Sequence, residues 1–130
     1  MYKEVKVGNT TVPMLANGAT PIRYKLLFHK DILAEFKSIE GDESKIATVG
    51  ELAFIMAMQA KAHDGEYDIS KLNEEDYLTW LEQFNPLDIE MSSDKIIDVY
   101  VGNTVTSSEP KKKEEKNSSS KKLGILLLSY

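Results

Sequence analysis

The chain has no cysteine. Disulfides, thiolate metal sites and cysteine nucleophiles are therefore excluded. It has two histidines, His29 and His63, and neither stands in a metal-ligand spacing such as HExxH. There is no GxSxG and no glycine loop of the kind that cradles a phosphate. No apolar run approaches the ~20 residues that a membrane helix needs. The N-terminus alternates Lys, Glu and Val, which is not a signal peptide. Basic charge is scarce as well: residues 1–105 hold 10 Lys or Arg against 18 Asp or Glu, a net −8. Phosphate binding needs clustered Lys and Arg, so such a body argues against a nucleic-acid face.

What is present fits one domain with a modest core. The chain has 130 residues, 42% hydrophobic and 28% charged, the composition of a soluble globular protein. Its centre is Thr48 to Gly65 (TVGELAFIMAMQAKAHDG). Thr48 and Glu51 have the spacing of a capping box, and Gly65 supplies a left-handed helix end. Leu52, Ala53, Phe54, Ile55, Met56, Ala57, Met58, Ala60 and Ala62 make the helix between them apolar nearly all round. It must be covered on several sides and is about 22 Å long. Met56 and Met58 read as gap-filling core residues.

Residues 2–15 read as a β-hairpin. Gly8-Asn9 is a two-residue loop with Gly first, as a type II′ turn wants. This register pairs Val7 with Thr10, Val5 with Val12 and Lys3 with Met14. It puts Val5, Val7, Val12 and Met14 on one face and Glu4, Lys6 and Thr11 on the other. Pro13 falls opposite Glu4 at a non-hydrogen-bonded pair, where its missing N–H is tolerated. A turn at Asn17-Gly18 leads to a helix capped by Thr20, with Pro21 in its first turn. Ile22, Leu26 and Leu27 are expected on one side, with Tyr24 and Phe28 adjoining. His29-Lys30-Asp31 either breaks this helix, with Asp31 capping a second one (Ile32, Leu33, Phe36), or lies within one continuous helix. Residues 38–46 read as a polar loop.

After the central helix, Glu66 to Leu72 is a connection. Asn73 caps a helix whose first turn, Glu74, Glu75 and Asp76, suits the positive end of the dipole. Tyr77, Trp80, Leu81 and Phe84 are its buried stripe, and Asn85-Pro86 ends it. A last helix runs from Ser92-Ser93-Asp94 through Ile96, Ile97, Val99 and Tyr100 to Gly102-Asn103; a strand at Val99-Tyr100-Val101 is the competing reading. The fold class is thus α+β, mostly α: an N-terminal hairpin packed on a small helical bundle around a central apolar helix. Residues 1–105 form this domain. Residues 106–130 form a flexible charged tail with 6 Lys against 3 Glu. Its first part, residues 106–122, lacks the apolar side chains that would repay ordering. The tail ends in LGILLLSY, which is too short to span a bilayer and too apolar for a free tail; docking on the domain, docking on a partner and an exposed sticky end are the alternatives.

None of this amounts to a reaction centre. His63-Asp64 at a helix C-terminus fits the dipole rule. An EF-hand reading of His63 to Asp68 fails, because Gly65 at loop position six puts Ala60 at position one. Glu74, Glu75 and Asp76 are explained as a solvated first turn, Trp80 as core, and Lys111-Lys112-Lys113 as a solvated linker. No catalytic, cofactor-binding or metal-binding residue is expected; the composition suits an interaction module.

The arrangement resembles the tail assembly chaperones of long-tailed bacteriophages, in the form found in phages and prophages of Gram-positive bacteria. The similar parts are the opening hairpin, the segment Thr20 to Leu33 (TPIRYKLLFHKDIL), the alanine- and methionine-rich central helix, the acidic-capped helix NEEDYLTWLEQF and the lysine-bearing tail. The sequence departs from the pattern at His29, where glycine is expected after the phenylalanine. The resemblance implies a non-enzymatic protein of the infected host's cytoplasm that coats the tape-measure protein, keeps its helices soluble and recruits tail-tube subunits. Self-association is compatible with that role; nucleic-acid and membrane partners are not expected. Many such chaperones have a longer form made by ribosomal frameshifting, and Pro110-Lys111-Lys112-Lys113 is compatible with an A-rich slippery run. The rival readings are a structural tail or head-tail connector component retained in the virion and a small hydrolase, the latter disfavoured by the missing nucleophile constellation.

Overall fold

The computed structural model describes residues 1–38 and 45–105. Two strands, β1 (Tyr2–Val7) and β2 (Thr10–Leu15), are followed by six α-helices among the described residues: α1 (Thr20–Phe28), α2 (Ile32–Ser38), α3 (Lys45–His63), α4 (Glu74–Leu81), α5 (Asp88–Met91) and α6 (Ser93–Val105). A 3₁₀ turn, Ile69–Lys71, lies between α3 and α4. The fold is α+β with the hairpin at the N-terminus, as the sequence pattern predicts. The predicted tail, residues 106–130, and most of the predicted polar loop lie outside the described residues.

The central element is α3. It has 19 residues, about 28 Å of helix, and packs against β2 and every other helix. Val49, Leu52, Ala53, Phe54, Ile55 and Met56 are fully enclosed. Aromatic rings collect on one side: Phe54 lies 5.3 Å from Tyr77 and 5.7 Å from Trp80 between ring centroids, separations at which tilted pairs attract. At the far end Gly65 adopts φ +76°. Gly65 N–H donates to Ala62 O and Glu66 N–H to Lys61 O, which closes the helix as a Schellman motif.

The start of α3 differs from the expected one. The helix begins at Lys45, so Thr48 and Glu51 lie inside it rather than forming a capping box. Both side chains reach across the fold instead. Thr48 Oγ1 donates to Glu35 Oε1 at 3.3 Å, and Glu51 accepts from Tyr24. Local spacing cannot distinguish a cap from two polar residues recruited by neighbouring helices.

The hairpin register is Val7↔Thr10, Val5↔Val12, Glu4↔Pro13 and Lys3↔Met14. Only Gly8 of the loop has positive φ, +65°, as a type II′ turn requires. Val5, Val7, Val12 and Met14 are buried, with β2 along α3 and β1 against α5 and α6. Both open edges are blunted. Pro13 removes an outward N–H from β2, and Ser92 Oγ donates to the outward Lys6 carbonyl of β1 at 3.2 Å.

In the C-terminal half, Asn73 Oδ1 accepts from Asp76 N–H at 2.8 Å and caps α4. The helix ends at Leu81, earlier than expected, and Phe84 packs on Trp80 from the turn beyond it, 5.0 Å away. Trp80 is buried, while Tyr77, Leu81 and Phe84 are half-buried. The short α5 is not legible in the sequence. α6 is helical through Val99-Tyr100-Val101, so the strand alternative does not form.

Candidate functional site

Helix α1 is held to the core by three anchors. Pro21 at its second position fixes the backbone for helix entry. Thr20 is not the cap. Ala19 is, without a side-chain bond, and Thr20 is buried with its hydroxyl accepting from Asn17 N–H at 2.9 Å and Gln59 Nε2 at 2.8 Å. The buried Gln59 also donates to Leu15 O at 2.7 Å and accepts from Arg23 at 2.8 Å. It thereby ties β2, α1 and α3 together. One and two turns further on, Tyr24 and Phe28 enter the core. Tyr24 OH donates to Glu51 at 2.7 Å, and Lys30 pairs with the same carboxylate at 3.0 Å. Burial, reinforced by Glu51, pushes the Tyr24 hydroxyl far above its ordinary pKa, and burial then Glu51 do the same to Tyr77. Both hydroxyls stay neutral at physiological pH.

Thr20, Tyr24 and Phe28 set the orientation of α1, and the consequence contradicts the expected stripe. Ile22 and Leu26 sit on the opposite face, 59% and 71% exposed. Leu27 is half-buried at the boundary. His29 ends the helix in the left-handed region, φ 60° and ψ 33°, and Asp31 Oδ1 accepts from Leu33 N–H at 3.0 Å to start α2. Two helices therefore form rather than one.

Beside this face lies a cleft of about 370 Å³, lined by Arg23, Leu26, Leu27, Ile69, Ser70 and Leu72. Its second wall is held in shape by short-range polar bonds. Asp68 Oδ1 accepts from Ser70 N–H at 3.1 Å and from Ser70 Oγ at 2.7 Å. These bonds hold the Asp68 carboxyl below its ordinary pKa. Tyr67 OH donates to Asp76 at 3.1 Å, and burial followed by that bond pushes its pKa up to about 12. A second, smaller cleft of about 100 Å³ lies between the hairpin and α4 and includes Val12, Lys61 and Trp80.

The side chains weighed for chemistry in the sequence are dispersed. His29 and His63 are exposed and line neither cleft. Glu74 and Glu75 point to solvent while Asp76 serves Tyr67. Among the described residues, no three His, Asp or Glu side chains converge as metal ligands, and no helix is long and apolar enough to cross a membrane. The cleft can bury apolar side chains, and the Ser70 hydroxyl on its wall is engaged with Asp68. Sequence reasoning misses it by placing Ile22 and Leu26 next to Tyr24 and Phe28 on the helix; the signal available is that Thr20, Tyr24 and Phe28 share a row of their own. No protein-family model matches this chain, and no curated protein or solved structure is significantly similar to it.

Proposed function

We propose that the protein is a tail assembly chaperone of a long-tailed bacteriophage. It acts without catalysis in the host cytoplasm, holding apolar helical segments of the tape-measure protein at the α1 cleft and recruiting tail-tube subunits. The observation that carries this reading is the pair Ile22 and Leu26, more than half exposed on a firmly anchored helix beside an apolar cleft. Exposed apolar residues rimmed by polar ones are how a protein surface takes up another chain, and an amphipathic helix laid in a groove is one recurring mode. The sequence resemblance names the client. The left-handed backbone of His29 adds support, because that position in the resembling pattern is expected to be glycine, the residue that favours this conformation.

The test is co-expression with a phage tape-measure protein. The native chain should keep the client soluble. Ile22→Lys with Leu26→Lys should lose this while thermal stability stays within about 0.5 kcal/mol of the parent, since both side chains face water. A client equally soluble without this chain would overturn the reading. Stoichiometric retention of the chain in purified particles would replace it with a structural tail or connector component.

A further inference from the structure

We propose that residues Leu123–Leu128 of the same chain occupy the α1 cleft and compete there with any external ligand. Four observations converge on this occupant. The first is the cleft itself: Leu26, Leu27, Ile69 and Leu72 line it, and Leu26 is largely exposed. The second is composition. Between Val105 and Leu123 the chain has no Ala, Val, Ile, Leu, Met or aromatic residue, and then Leu123, Ile125, Leu126, Leu127 and Leu128 follow together.

The third is where the chain leaves the described domain. Gly102, near the end of α6, lies against the Met1 side chain, with 3.5 Å between a Cβ built there and the Met1 sulfur. The Met1 amino group donates to Ala16 O, and Asn17 N–H donates to Thr20 Oγ1 at the first residue of α1. The exit therefore lies on the Met1 side of the hairpin, whose other end leads through Ala16 and Asn17 into α1, and Leu26 lies about 9 Å along that helix. Residues 106–122 can span up to about 56 Å when extended, several times what is needed.

The fourth is charge. Lys121 and Lys122 immediately precede the apolar run. The wall Ile69 to Leu72 is bracketed in sequence by exposed Asp68, Glu74 and Glu75, with Lys71 between them, so the chain around this wall is net acidic, while the facing wall carries Arg23. Arg23 keeps its charge, since Gln59 is neutral, but one of its N–H groups is directed at that amide. A segment reading Lys-Lys-Leu-Gly-Ile-Leu-Leu-Leu thus meets acid with lysine and apolar wall with leucine. Tethering favours it over a second copy, because a short connection gives an effective concentration in the millimolar range.

Because the chain lacks cysteine, a nitroxide can be placed at Ser129→Cys alone in the full-length protein. The readout is broadening of isotope-labelled Ile and Leu methyl signals. Signals of Ile22, Leu26, Ile69 and Leu72 should be lost, unchanged on dilution, and recovered when the nitroxide is reduced. Leu126→Asp with Leu127→Asp in the spin-labelled chain should restore them, while buried Leu52 and Ile55 keep their shifts as the sign of an intact domain. Absence of broadening at the cleft overturns the proposal. So does broadening that appears when the nitroxide and the isotopes are on different molecules, which would make a second copy the occupant. No client is present in this experiment, so its outcome is separate from the co-expression result.

Discussion

Gly50 stands in the middle of α3, where glycine costs about 1 kcal/mol against alanine. Its reason is Tyr77: a Cβ at this position would lie 2.9 Å from the Tyr77 hydroxyl oxygen. The ring cannot retreat easily, since Phe28 at 5.2 Å and Phe54 at 5.3 Å pack against it. Gly50→Ala should therefore destabilise the domain by about 1 kcal/mol net, overpacking outweighing helix propensity. In a Tyr77→Phe background the nearest remaining atom is Ile89 Cγ2 at 3.8 Å, an ordinary contact, and the same substitution should become stabilising by up to about 1 kcal/mol. Urea unfolding of the four proteins of this cycle measures the sign change; no reversal would mean that Tyr77 is not what excludes a side chain at Gly50. The sequence carries no sign of this contact, because it joins positions far apart in the chain. His29 is a similar case: the left-handed turn there is visible only as a possible break, since histidine is not a residue that signals it as glycine does.

At the scale of elements, the hairpin is fully legible in the sequence and α1 is not. Gly8, Pro13 and the alternation of Val5, Val7, Val12 and Met14 are local signals that agree with one another, so register and buried face both follow from them. In α1 the apolar residues point two ways. Tyr24 and Phe28 go in, Ile22 and Leu26 go out, and hydrophobicity alone cannot choose between them. The choice is made by Gln59 on another helix, which needs Thr20 and Arg23 on its side. Gln59→Leu keeps comparable volume but takes away the donor to the Leu15 carbonyl and one of the two donors to the buried Thr20 hydroxyl. At about 1–3 kcal/mol for each buried group left short of a partner, a loss of about 3 kcal/mol is expected, which would lower Tm by more than about 10 °C. A Tm unchanged in this variant would show that packing on Tyr24 and Phe28 orients α1 without the polar clamp.

For the whole molecule, charge and apolar surface are divided between different parts of the chain. The body of residues 1–105 is acidic, and residues 106–122 hold all six lysines of the remainder. Like charge on the body opposes contact between copies in solution, which limits association through apolar residues such as Leu26 whenever the cleft is open. The two parts predict opposite responses to salt. A client held at the cleft buries apolar surface, so calorimetric titration with an apolar amphipathic helix should give a negative heat-capacity change. Its affinity should vary by no more than about threefold between roughly 0.05 and 0.5 M salt, since no close charge pair carries the contact. A client held by the lysines would behave otherwise, because binding that exchanges counterions falls steeply with the logarithm of salt concentration. A steep salt slope with little heat-capacity change would move the client site from α1 to the lysine-rich segment, whatever the stability of the domain.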